Sequence, residues 1–282
     1  MVIAPLLWST AGVVTRHLEA ASSFEVTFWR SFFTAISLLL ILPSLRGRRV
    51  FADMRQAGQG LWLSGLCWGV MFTAFMVALT KTTVANVLVT LAIGPLLTAL
   101  TARLLIGHRI LPRTWMAIML AGAGIAWMYG AKLGGEDWTG TAVAFLVPIA
   151  AAINWTLIQH THGRGEDVDL LPSVLLGAVA SCLFTFPWAL PFHATVHDLG
   201  LLAALGLMQL AVPCVLATMA AGVLKAPEVS LLGLLEVVFG ILLAWLGAHE
   251  VPDPRVLVGG SLVLVALISN ELLAWHQAPN QA

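Results

Sequence analysis

Apolar residues in this chain run together instead of alternating with polar ones. No Asp, Glu, Lys or Arg occurs in 56–80, 82–102, 138–163, 170–195 or 199–224, and 114–131 is a slightly shorter run of the same kind. A bilayer core about 30 Å thick is crossed by roughly 20 apolar residues in a helix, so each run predicts a spanning helix. Three more runs carry one charge each away from their ends: 24–43 with Arg30, 228–247 with Glu236 and 255–275 with Glu271. Residues 1–18 lack a basic leading region and a small-residue cleavage site, so they read as a first span and not as a signal peptide. The count is ten.

Composition closes off a soluble alternative. Charged residues make up 10% of the chain against about 25% in a typical soluble domain, and hydrophobic residues reach 59%. A soluble fold of this length cannot bury so much apolar surface, which makes lipid the solvent and membrane lipid a constant partner. Net charge is zero and there is no long basic tract, so no footprint for nucleic acid exists. Cys67, Cys182 and Cys214 all lie in predicted spans without metal-ligand spacing, and read as buried bystanders.

Ten spans put both termini on one side, and the basic residues say which. With cytoplasmic termini, the cytoplasmic ends collect Arg46, Arg48, Arg49, Arg55, Arg103, Arg109, Arg113, Arg164 and Lys225, whereas the opposite side holds Arg16, Lys81, Lys132 and Arg255. The positive-inside rule therefore places both termini in the cytoplasm of a plasma (bacterial inner) membrane.

The polar run near 130–138 divides the chain into an N-terminal repeat (1–130, helices one to five), a connecting loop (131–138), a C-terminal repeat (139–276, helices six to ten) and a tail (277–282). An odd number of spans per half forces opposite orientations if the halves share a fold, the inverted arrangement that places a solute site between halves near the midplane. Traces of duplication survive. Trp8-Ser9-Thr10 has a counterpart in Trp155-Thr156, and Asn86-Val87 with Gly94-Pro95 aligns with Glu228-Val229 and Glu236-Val237.

An Arg in the second span (FWRSFF), a Gly-Pro in the fourth followed by LLIGHR, and the stretch LGLMQLAVPCVLATMAAGVLKAPEVSLLGLLEVVFG over the eighth and ninth spans resemble the drug/metabolite transporter superfamily, in particular its EamA-type members. The resemblance covers nearly the whole chain. It implies an all-α integral membrane protein with ten transmembrane helices in two inverted five-helix EamA-like repeats. It also implies a transporter, often an exporter, of small organic metabolites such as amino acids or drug-like solutes. The chain departs from the family at Glu236-Val237, where the family usually writes Glu-Pro, and at His108, where an acidic residue is usual.

Polar residues within spans are the candidates for solute recognition. Glu236 sits mid-helix, where an acidic group costs on the order of 3 kcal/mol on insertion scales and so faces a cavity or a partner. A structural pair, a solute or proton role, and a neutral bystander are all open readings. Arg30 lies about two turns deep, so it either snorkels to the interface or turns inward to Glu236 or an anionic solute group. Trp8, Ser9, Asn86, Thr90, Asn154, Trp155, Gln159, Gln209 and Thr218 supply further polar groups, and Phe72, Phe75, Trp188 and Phe239 supply apolar walls. Each of the polar ones can equally be an interhelical hydrogen bond. Pro95, Pro148 and Pro213 are expected to interrupt the fourth, sixth and eighth spans. Small residues at 121–124 and 259–261 place the fifth and tenth spans at the periphery or against another copy, leaving monomer or homodimer open.

A membrane enzyme is the rival class, together with a non-transporting sensor. The sequence holds no HExxH, no GxSxG and no closely paired carboxylates within a span. No phosphate-cradling loop is present and no cofactor is called for. Transport is therefore expected to be secondary or facilitative, with protons exchanging at Glu236 or Glu228 as a coupling hypothesis.

Overall fold

The computed structural model describes residues 1–56, 58–106, 138–163, 169–224 and 226–277, together with scattered positions between 112 and 127. The described residues are helical, without strands. Most of the predicted fifth span, with His108, lies outside them.

The first predicted span is two short helices, α1 (Ile3–Trp8) and α2 (Thr10–Thr15), with Ser9 at the break. The second is α3 (Ser23–Arg46), set at its start by a capping box in which Ser22 accepts from the Glu25 amide and Glu25 accepts from the Ser22 amide. A surface helix α4 (Val50–Gln56) leads to α5 (Gln59–Lys81). The fourth span is again split, into α6 (Val84–Leu91) and α7 (Gly94–Ile106). The second half continues with α8 (Thr139–Gly163), α9 (Ser173–Ala189) and α10 (Val196–Ala204). A π-helical segment, Leu205–Ala211, joins α10 to α11 (Val212–Ala221). The ninth span divides into α12 (Ala226–Gly233) and α13 (Leu235–Ala248), and α14 (Pro254–Gln277) completes the chain.

Among the described residues five stretches are long and apolar enough to cross a membrane, and four shorter apolar helices, Ile3–Thr15, Ser173–Ala189, Leu235–Ala248 and Pro254–Ala266, accompany them. Three expectations need correction. The seventh helix ends at Ala189, not near Thr195, because Thr195 and Asp198 form a capping box that starts the next helix at Val196. Pro148 does not interrupt its span, since α8 runs through it. Pro213 lies in the first turn of α11, just after the π segment, where a missing N–H is tolerated.

The two split spans after α5 correspond. Ala92 ends α6 and Leu234 precedes α13, 142 residues apart, the same offset that aligns Asn86 with Glu228. α6 packs on α13 and α7 on α12, the pairing of two antiparallel broken helices. Gly240 permits the approach, because a Cβ there would lie 2.3 Å from Leu88 Cδ1. Thr98 and Ser230 hydroxyls bond at 3.0 Å across α7 and α12.

The core centres on α5, which packs against α3, α8 and α9. Glycines let the α5 and α9 backbones touch: a Cβ on Gly177 would lie 2.3 Å from Trp68 Cβ and 2.9 Å from the Gly69 nitrogen. Hydroxyls stitch the same helices, with Ser181 Oγ 2.9 Å from both Ser31 Oγ and Thr73 Oγ1. The small-residue stripes meet each other: a Cβ on Gly124, one of the described positions of the fifth span, would lie 2.7 Å from the Gly259 carbonyl of α14.

Candidate functional site

The breaks converge on a cavity of about 140 Å³. Both halves line it: Trp8 from the break in the first span, Arg30 from α3, Trp68, Phe72 and Phe75 from α5, Pro95 from α7, Pro148 and Trp155 from α8, Gln209 from the π segment, and Ser230 and Glu236 from the split ninth span. Its size is close to that of an engineered cavity of about 150 Å³ that takes benzene, so the guest has on the order of six to ten heavy atoms.

Arg30 is fully buried. It does not snorkel; its Nη2 donates to the Phe72 carbonyl at 2.8 Å and its Nη1 to Gln209 Oε1 at 3.2 Å. The Phe75 ring centroid is 6.0 Å from the guanidinium carbon, and Nε has no hydrogen-bond partner among the described residues. Gln209 in turn donates through Nε2 to the Trp8 carbonyl at 3.3 Å, so one amide joins Arg30 to the break in the first span. The π segment makes this possible. Gly206 brings its backbone against α3, its carbonyl accepting from Thr34 at 3.0 Å, and Gln209 three residues later still faces the same helix.

Glu236 stands in the first turn of α13, where the helix N-terminus favours a carboxylate. Among the described residues it makes neither a hydrogen bond nor an ion pair, and none of its carboxylate oxygens lies within 4.0 Å of an Arg30 nitrogen. The direct Arg30–Glu236 pair is therefore absent, and the two opposite charges share one cavity wall without cancelling through contact.

Of the residues singled out from sequence, Trp8, Arg30, Phe72, Phe75, Trp155, Gln209 and Glu236 come together. The others do not line the cavity. Ser9 donates to the Leu6 carbonyl beside the first break, Asn86 donates to Thr82 at the end of α5, and Thr90 donates to the Asn86 carbonyl one turn back. Asn154 accepts from Ser64 at 2.6 Å between α8 and α5. Gln159 accepts from the Ala226 amide and so caps α12, and Thr218 donates to the Cys214 carbonyl. Trp188 is exposed and stacks with Phe24 and Phe184 on the outside of the bundle, and Phe239 does not reach the lining. The side chain of Glu228 lies outside the described residues. Sequence reasoning missed Trp68, which meets Trp155 edge-on at 5.6 Å, and it did not place Cys214, buried as expected, on the cavity wall. Trp68 stands four residues before Phe72, a spacing that puts both on one helix face.

Comparison with known proteins agrees with this architecture. The EamA-like transporter family matches residues 1–130 and 138–270. The chain belongs to that family. No curated protein matches the sequence significantly. Among solved structures, one described only as "Crystal structure of protein" is 20% identical, with a TM-score of 0.67 over 97% of this chain and 96% of the other. At that identity the likeness shows the fold. As an EamA-like transporter the chain is a multi-pass membrane protein built of two family repeats, and its function is the movement of a small-molecule solute.

Proposed function

We propose that this EamA-like protein is a secondary or facilitative exporter of small organic metabolites, amino acids or drug-like solutes, working by alternating access between two inverted five-helix repeats in a bacterial inner membrane with cytoplasmic termini. The observation that carries the reading is the cavity at the helix breaks, with Arg30 and Glu236 on its wall and unpaired with each other. A buried guanidinium without a carboxylate in contact is unfavourable in low dielectric, and a carboxylate guest relieves it. An amino group on the same guest meets Glu236, while Trp8, Trp68 and Trp155 enclose the apolar remainder. Helix breaks at that depth leave main-chain groups for a polar guest, an arrangement that transporters use at the midplane. Glu236 is also the residue through which proton exchange would couple to efflux.

The test is efflux from cells and proteoliposomes loaded with labelled amino acids and related metabolites. The parent protein is expected to lower retention of one solute class, and Glu236→Gln to reduce that flux at least tenfold with normal expression. Flux that ignores both Glu236→Gln and an imposed pH gradient rules out the proton role, and the absence of flux for every solute class rules out the reading as a whole.

A further inference from the structure

Two carboxylates with no exposed surface lie outside the cavity lining, at the membrane end formed by the start of α3, the start of α10 and the loops before them. Each occupies the same place in a capping box: Glu25 follows Ser22 by three residues, and Asp198 follows Thr195 by three. A cap needs only one carboxylate oxygen for its own helix, and here the remaining capacity is spent on the other repeat. Glu25 Oε1 accepts from the His193 and Ala194 amides at 2.9 and 2.7 Å, in the loop that precedes α10. Asp198 accepts from the Glu19 and Ala20 amides at 2.8 and 3.1 Å, in the loop that precedes α3. The exchange is reciprocal, each half closing its box on the other half's approach loop.

A second clamp sits on the same face. Arg16, at the end of α2, pairs with Glu250 at 2.8 Å and donates to the Leu79 and Thr82 carbonyls at 3.0 and 2.9 Å, and Glu250 accepts from the Val84 amide at 2.7 Å. On the opposite face the described residues offer one ion pair, Arg46–Asp169, with both side chains at least 40% exposed. The cavity lining reaches toward that second face, to Val229 and Ser230 in the first turn of α12.

We propose that Glu25 and Asp198 form a latch between the repeats that holds this face shut while the cavity addresses the other, and that the latch must open for solute to leave on its side. The proposal rests on the alternating-access reading above. Backbone amides donating to a buried carboxylate make charge-assisted bonds, about twice as strong as neutral ones, and no side chain of the partner repeat needs to be matched for them to form. Such a contact is strong when closed, and both carboxylates return to water when the loops separate, which makes it reversible.

The experiment reads access to the cavity and needs no solute. In a background with Cys67→Ala, Cys182→Ala and Cys214→Ala, a single reporter, Ala151→Cys on the cavity wall, is labelled with an impermeant maleimide added to one side of sealed vesicles of either orientation. The parent is expected to label from the face opposite the latch. Glu25→Gln or Asp198→Asn alone is expected to raise the rate from the latch face about tenfold, and the pair about a hundredfold if the two act independently. No change from the latch face, or an equal rise from both faces, overturns the latch. Should the double variant fail to assemble, Glu25→Cys with Ala194→Cys tests the reverse. Once oxidised, and confirmed as cross-linked by mass, it is expected to lower the labelling read on the reporter's own peptide from the latch face at least tenfold, with recovery on that peptide after reduction and removal of the reductant. Equal labelling in both redox states overturns the proposal. A chain that moves solute normally but ignores these changes sinks the latch alone, whereas one that shows them without moving any solute sinks the transport reading alone.

Discussion

Replacing Gln209 with leucine removes the amide that joins three elements. Arg30 Nη1 loses its acceptor and the Trp8 carbonyl its donor, while Arg30 Nε already lacks a hydrogen-bond partner among the described residues. All of this happens beside a residue with no exposed surface, so water has no easy route to replace the lost bonds. A hydrogen bond to a charged group is worth about 1.5–3 kcal/mol and a neutral one about 1, which together give a loss of about 3 kcal/mol. For a chain of this size each kcal/mol moves the midpoint by about 2–4 °C, so the expected drop in detergent is about 6–12 °C. The assay is thermal unfolding followed by fluorescence-detected gel filtration, run at one heating rate because membrane proteins unfold irreversibly. Gln159→Leu is the control: it removes a single neutral bond to the Ala226 amide and is expected to cost about 1 kcal/mol. Gln209→Glu keeps an acceptor for Arg30 and is expected to stay nearer the parent than the leucine variant. If Gln209→Leu melts no lower than Gln159→Leu, the amide does not hold Arg30 in place and the account of the cavity wall fails.

Other expectations follow from the same geometry. Gly177→Ala forces a Cβ against Trp68 and the Gly69 backbone and is expected to destabilise by about 1–3 kcal/mol, whereas Gly200→Ala, with nothing within 4 Å, is expected to be neutral or stabilising by up to about 1 kcal/mol; a melting comparison separates them. Asp169→Asn breaks a pair exposed on both sides, so its melting point is expected to stay within about 0.5 kcal/mol of the parent, with no change on adding salt. Arg30→Lys keeps the charge but cannot span Gln209 and the Phe72 carbonyl with one planar fork, so efflux is expected to fall at least tenfold with expression retained.

Much of the bundle was legible because lipid imposes length: the runs at 82–102 and 138–163 become helices starting within two residues of the predicted points. Of the breaks, the one just before Gly94-Pro95 was legible from its proline, whereas Ser9 and Leu234 sit in runs as apolar as their neighbours and gave no such signal. Arg30 and Glu236 stood out because a charge in an apolar run is costly anywhere, yet whether they touch depends on helix rotation, which spacing along one chain leaves undetermined. Trp188 shows the same gap. An aromatic in a span is equally at home facing lipid, and here it does. The two capping boxes carried a readable local signature, Ser22 with Glu25 and Thr195 with Asp198, but their exchange across the repeats is a property of the folded ends alone.

The π segment at Leu205–Ala211 has a bearing on how specificity can drift in such a protein. A π turn accommodates one residue more than the α-helix it interrupts. Deleting a single residue there returns the stretch to ordinary winding, leaves both flanks on their faces, and changes which side chains stand within the turn itself. Gln209 then swings away from the guanidinium while the span keeps its length and its oiliness. A one-codon loss or gain in this turn therefore offers a short mutational step by which a lineage can exchange the group facing its cargo without rebuilding the helix around it.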